Sequence, residues 1–280
     1  MATKIPEEAY AVIIGAMKCG TTSLYYYLAQ HPEICPAIRK ETEFFSENQG
    51  HGVRVDKYED LWDFDRSVHK YALEASTGYA KYPMEPNVDN NILDYGIRPK
   101  FIYIIRNPFD RIQSHYNSMR YEPGWRLSAT SDPLINISNY FLQLEQYRQH
   151  FPLRDILVLD FDELQANPKR VLKKVYDFLG LSDTYFPASY PLKHQTKPLS
   201  RAELLMKRSR LGELPRPLPK SVKKAGRELL LKFSPSDKRL LTDEEREFVH
   251  NQLRGDMIRL QGSYGFDVRK WGFDNYQLGR

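Results

Sequence analysis

The chain is poor in cysteine: Cys19 and Cys35 are the only two in 280 residues. Two cysteines make neither a disulfide framework nor a zinc site. No run approaches the roughly 18 apolar residues that a membrane span needs. The opening stretch, MATKIPEEAYAVIIG, lacks the basic patch, long apolar segment and small-residue cleavage site of a secretory leader. These absences point to a reducing, cytoplasmic setting with no integral membrane segment. No internal repeat or low-complexity tract is visible either, which excludes solenoids and repeat arrays. What remains is the composition of an ordinary globular protein, 41% apolar and 28% charged, long enough for a substantial core.

Positive charge is concentrated. Residues 193–239 carry 14 Lys/Arg against 4 Asp/Glu, while the whole chain has 41 against 36, a net +5. The segment is therefore +10 and the remainder −5. Such a patch suits an anionic partner, whether nucleotide, nucleic acid, membrane surface or acidic substrate, or simply a solvated helix face.

Four runs rich in apolar, β-branched and aromatic residues read as buried strands: YAVIIGA (10–16), KYALEAS (70–76), KFIYIIR (100–106) and DILVLDF (155–161). Amphipathic segments follow them. TTSLYYYLAQ sets Leu24 and Leu28 on one face and stops at His31-Pro32. PFDRIQSHYNSMRY opens on Pro108, suited to a first helical turn. NPKRVLKKVYDFLGL places Val171, Leu172, Val175, Phe178 and Leu179 at helical spacing before a Gly180 cap. Near the C-terminus Thr242 and Glu245 form a capping box ahead of a stripe of Phe248, Val249, Leu253, Met257 and Leu260. Strands alternating with helices predict an α/β fold, a P-loop-like parallel β-sheet flanked by helices on both faces. Residues 1–280 read as a single domain, with 190–240 as a basic, proline-punctuated loop and helical lid within it.

The loop after the first strand, GAMKCGTTS, nearly matches the phosphate loop G-x-x-x-x-G-K-[ST]. Gly15 and Gly20 have the right spacing, but Thr21 stands in the lysine slot and the lysine is Lys18. A strand, a turn and a helix start still make an anion site. Free N–H groups and the helix dipole face the ligand, with Thr21, Thr22 and Ser23 adding hydroxyls and Lys18 a full charge. Cys19 inside the turn reads as a small residue that fits. A triphosphate site also needs an acid for Mg²⁺ at another strand end. Asp160 is such an acid, but strand-end aspartates are common. The strand KFIYII is followed by Arg106, which favours a second phosphate, and Ser114 lies eight residues on. Two separated phosphates on one nucleotide describe 3′-phosphoadenosine 5′-phosphosulfate (PAPS). The competing reading is a small-molecule kinase or other NTPase with a degenerate loop.

These motifs resemble the sulfotransferase superfamily, and within it the heparan-sulfate-type and bacterial branch. The resemblance rests on Lys18-Cys19-Gly20-Thr21-Thr22, His31-Pro32, KETEFF (Lys40–Phe45), RNPFDRIQSHY (Arg106–Tyr116) and DILVLDFDEL, in family order over residues 9–185. It implies metal-independent transfer of a sulfuryl group from PAPS, leaving the bisphosphate PAP, to a hydroxyl on a small molecule, carbohydrate or lipid, and no nucleic-acid partner. It further implies catalytic roles for Lys18, which neutralises the leaving phosphate, and for Glu41 as general base. Cys19 to Ser23, Arg106 and Ser114 would bind the nucleotide, with Lys197 or Arg201 reaching the 3′-phosphate from the basic segment. Glu43, two residues from Glu41, shares its face if the segment is extended. His69, His115 and His194 are other candidate bases. One departure stands out: the family's Glu-Lys-[Thr/Ser] reads Glu74-Ala75-Ser76, so its lysine is missing. Either Ser76 and Thr77 replace it in part, or another basic residue reaches in.

Overall fold

The computed structural model describes residues 5–48, 52, 54–122, 124–191 and 238–274. Five parallel strands form one sheet in the order β2-β3-β1-β4-β5. They are β1 Tyr10–Gly15, β2 Ile34–Pro36, β3 Tyr71–Ala75, β4 Lys100–Ile105 and β5 Ile156–Asp160. Every residue of β1, and every residue of β4 after Lys100, is buried. Successive strand residues point to opposite faces, so both faces of the central strands are covered, as expected for an all-parallel sheet. Register is fixed by pairs such as Ile13 with Ala75 and Ile13 with Ile102.

The four predicted strands lie within a residue of their predicted limits. The fifth, β2, has three residues and ends in a proline. It is too short to show a period, and it lies on the sheet edge, where proline is tolerated. Helices α1 (Thr21–Leu28) and α2 (Val88–Tyr95) follow β1 and β3. Helices α3 (Pro108–Met119), α4 (Asp132–Asn136) and α5 (Tyr140–Arg148) lie between β4 and β5. Helices α6 (Phe161–Ala166) and α7 (Pro168–Leu179) follow β5. The C-terminal helix α8 spans Asp243–Tyr264. Among the described residues no helix is long and apolar enough to cross a membrane.

Leu24 and Leu28 are buried, Pro108 opens α3, and Gly180 caps α7 in the left-handed conformation. The Thr242–Glu245 capping box is present in both directions. Phe248 departs from its predicted place in the buried stripe of α8: it is 45% exposed, and Asp256 joins Val249, Leu253, Met257 and Leu260 on the buried face. That carboxylate accepts from the Phe141 and Leu142 N–H groups at 3.0 and 2.8 Å, near the start of α5. A buried polar group thus does work that an apolar stripe cannot show. Most of the basic segment, with Lys197, Arg201 and His194, falls outside the described residues.

Because β1 is central and the chain leaves it first to one side and then to the other, the sheet switches direction there. Ligands of open α/β sheets bind outside the carboxyl ends of the strands at such a switch point. The segments that follow β1, β2, β3 and β4 all emerge at that end.

Candidate active site

The turn after β1 is held low by its own backbone. Ala16 N–H donates to the Ile104 carbonyl at 2.7 Å and Cys19 N–H to the Ala16 carbonyl at 3.1 Å. Gly20 then begins α1 at φ 84, a conformation that favours glycine. A Cβ there would also lie 2.7 Å from the Phe161 ring. Gly20 has no side chain with which to cap α1, and the first N–H groups of a helix, which lack partners within it, are suited to hold an anion. Thr21 and Ser23 turn inward and are buried, whereas Thr22 is half-buried at the mouth. Cys19 is fully buried, and burial pushes its thiol up to about 12. It acts as a small core residue.

Lys18 is half-buried with φ 71. Burial, then Arg106 and Arg111, lower its proton affinity. Arg106 follows β4 and packs its guanidinium on the Phe161 ring at 4.9 Å. It reaches the Lys18 carbonyl at 3.5 Å and Asp110 at 3.7 Å, both long contacts. Its buried Nε has no hydrogen-bond partner among the described residues. The local pairing with Asp110 therefore exists but leaves donor capacity over. Asp110 and Ser114 are four apart on α3 and share a face, so half-buried Ser114 continues the surface that starts at Arg106. Phe161 lies against both Gly20 and Arg106 and so links the turn after β1 to the end of β4; nothing in the sequence spacing announces it.

Asp160 takes no part here. It caps α6 by accepting from Asp162 N–H at 2.9 Å and pairs with Lys270.

The other wall is built from KETEFF and the turn after β3. Glu41 and Glu43 have φ 60 and φ 51; with Lys18 they are the described non-glycine residues with positive φ. Left-handed backbone at non-glycine residues costs about 1–3 kcal/mol and clusters at functional sites. The segment is thus not extended, and the two carboxylates go to consecutive amides of the turn Thr77–Ala80. Glu41 accepts from Thr77 N–H at 2.7 Å and its hydroxyl at 3.2 Å, and pairs with Lys40. Glu43 accepts from Gly78 N–H at 3.0 Å and Ser46 Oγ at 2.8 Å. A Cβ on Gly78 would stand 1.9 Å from a Glu43 carboxylate oxygen, so any side chain there would displace that carboxylate.

The pair is electrically split. Burial raises Glu41, but Lys40 and the Thr77 amide outweigh it and hold the carboxyl below its ordinary range. Burial raises Glu43, with the Glu41 charge adding to it against Ser46 and Lys81, to about 7. Adjacent carboxyl groups pushed apart in this way are a common arrangement for proton chemistry. Beneath them lies a buried polar cluster. Glu74 is fully buried and accepts from Thr42, Tyr58 and, at 2.6 Å, Ser76. Ser76 Oγ also accepts from Glu43 N–H at 2.9 Å.

The candidate histidines fare differently. His69 accepts from Asp65 N–H at 3.0 Å in a local turn. His115 is buried against Arg111 and Trp125, and burial followed by Arg111 holds its ring far below its ordinary proton affinity, so it stays neutral.

The family model described as "Sulfotransferase domain" matches residues 9–207. The human bifunctional heparan sulfate N-deacetylase/N-sulfotransferase 2 is 25% identical over 196 residues, 61% of this chain and 22% of that protein. Human N-deacetylase/N-sulfotransferase 3 is 28% identical over 199 residues, 62% of this chain and 22% of its own length. The chain thus matches 22% of the length of these curated relatives. A sulfotransferase from Alicyclobacillus acidocaldarius shares the fold, with a TM-score of 0.66 and 22% identity over 96% of this chain and all of that one. With the family model covering most of its length, the chain belongs to the sulfotransferase domain family, whose enzymes move sulfuryl groups.

Proposed function

We propose that this protein transfers a sulfuryl group from PAPS to an acceptor hydroxyl, with Glu41 as general base. The observation that carries the reading is the glycine-led start of α1 beside Arg106, whose buried Nε lacks a partner among the described residues. These are two anion positions on one side of the sheet switch point, and they fit a nucleotide with two separate phosphates. Lys18 and the amides from Gly20 to Ser23 would hold the 5′ end, and Arg106 with Ser114 the 3′-phosphate. Lys197 or Arg201 would add to the latter. When bound, the nucleotide supplies an activated sulfuryl group on a phosphate leaving group.

The chain's own part is electrostatic and positional. Lys18 and fixed N–H dipoles neutralise the charge that develops on the leaving oxygen. Glu41 is held ionised by Lys40 and the Thr77 amide. It accepts the acceptor's proton as the attack in line on sulfur proceeds. Glu43 keeps its proton more readily and holds the turn rather than taking part in transfer.

An amine acceptor is the second reading, since the curated relatives are by name N-sulfotransferases. A screen of hydroxyl and amine acceptors with PAPS, read by the +80 mass shift of sulfation, tests the proposal. Products labelled only on nitrogen would move the assignment to the amine. No product with any acceptor class, in a protein shown to bind the donor, would argue against transfer.

A further inference from the structure

The side chain of Arg106 has few contacts to hold it in place. Its guanidinium lies on the Phe161 ring and makes two long polar contacts, at 3.5 and 3.7 Å. Its direction therefore depends on the backbone from which it springs, just after β4 ends at Ile105. That backbone is held from the side. The Tyr140 hydroxyl donates to the Arg106 carbonyl at 2.7 Å. Tyr140 is buried, and its ring packs edge-on against Tyr103 and Trp271, with centroids 6.0 and 6.3 Å apart. A ring fixed in this way gives its hydroxyl a set position.

Tyr140 is the first residue of α5, and the first amides of a helix need partners from outside it. The residue before it, Asn139, makes no side-chain cap. Asp256 supplies one from α8. Its carboxylate is buried and accepts from the Phe141 and Leu142 amides at 3.0 and 2.8 Å. A negative charge there also gains from the helix dipole. One connection thus runs from Asp256 through the first turn of α5 and the Tyr140 ring to the backbone of Arg106. Seven residues on, Tyr147 makes a bond of the same kind to a different segment. It is also buried, and its hydroxyl donates to the Tyr79 carbonyl at 2.7 Å.

We propose that Tyr140, held in place by Asp256, is the positioning residue for Arg106 and so sets the affinity for the 3′-phosphate. This rests on the reading that Arg106 binds the 3′-phosphate of PAPS. Neither side chain touches the nucleotide; both act through the Arg106 backbone.

PAP and 5′-AMP differ by the 3′-phosphate alone, so calorimetric titration of each isolates that contact. Tyr140→Phe removes one hydroxyl and keeps the ring. It should weaken PAP about tenfold and 5′-AMP by less than about twofold, because a displaced ligand group loses its contact and little else. Asp256→Asn, which loses the charge at the start of α5, should show the same selective loss at about threefold. It decides the matter if Tyr140→Phe does not fold. Tyr147→Phe is the matched control. It also leaves one buried carbonyl unpaired and shares the loss of stability, yet both nucleotides should bind within about twofold of wild type. Equal weakening of both nucleotides, or of neither, in Tyr140→Phe and Asp256→Asn overturns the proposal. So does a selective loss of PAP in Tyr147→Phe, and the donor assignment survives either result. A wild-type protein that binds PAP no more tightly than 5′-AMP overturns the 3′-phosphate site as well.

Discussion

Lys18 carries its charge where burial, Arg106 and Arg111 all favour losing it, which is the situation of a group waiting for an anion. Lys18→Ala should lower kcat/KM by roughly 10²–10³, the usual loss for one electrostatic donor, with the circular dichroism spectrum unchanged. Glu41→Gln should lower kcat by roughly 10²–10⁴; near-normal turnover would move the base elsewhere. Gly78→Ala tests the carboxylate pair differently. Its methyl would displace the Glu43 carboxylate, a clash on the overpacking scale of about 1–3 kcal/mol, and both stability and turnover should fall. The motifs of Lys18, Glu41 and Arg106 were legible in the sequence because each combines a charge with a fixed neighbour pattern. The different settings of the Glu41 and Glu43 carboxyl groups were not. They depend on two left-handed residues and on consecutive amides 35 or so positions away, which no spacing rule reports.

Among the elements, α1 matters most, since its start is the proposed donor site. Gly20→Ala would put a methyl 2.7 Å from the Phe161 ring in a backbone region that disfavours side chains. The start of α1 should shift, and the affinity for PAP should fall with it. By contrast, Thr242→Ala removes a capping box from α8, remote in sequence from the site. It should cost about 1 kcal/mol in urea unfolding and leave nucleotide affinity alone. Strands β1, β3, β4 and β5 were readable from their apolar runs, as were α1, α3, α7 and α8 from period and caps. Helix α5 was not, although its buried residues Tyr140, Gln143, Leu144 and Tyr147 have helical spacing. Three of those four carry polar groups, which blunts the apolar signal. Those groups are used: Gln143 clamps Tyr82, Tyr147 donates to the Tyr79 carbonyl at 2.7 Å, and Tyr140 to the Arg106 carbonyl at 2.7 Å.

At the scale of the whole molecule, the sheet brings four strand ends together, and most of the candidate site residues stand on the segments that leave them. That concentration has a pH signature. Glu43 titrates near 7 when folded and near 4.5 when its carboxyl is free. The folded state therefore binds more protons between these values, and stability falls as pH rises through the interval. The groups facing Glu43 are Glu41, Lys81, Ser46 and the Gly78 amide. Glu43→Gln removes the titration, so the stability difference between wild type and variant should shift against wild type from pH 4.5 to 7 and flatten above it. A difference independent of pH would mean that Glu43 keeps an ordinary proton affinity.

On the proposed reading, the loop after β1 serves a 3′,5′-bisphosphate nucleotide rather than a triphosphate. Calorimetric titration of the wild-type protein with PAP in the presence of EDTA, and separately with ATP and Mg²⁺, tests it most directly. Tight binding of PAP without metal, lost in Arg106→Ala, is the expected result. Binding of ATP with Mg²⁺ and none of PAP would contradict it.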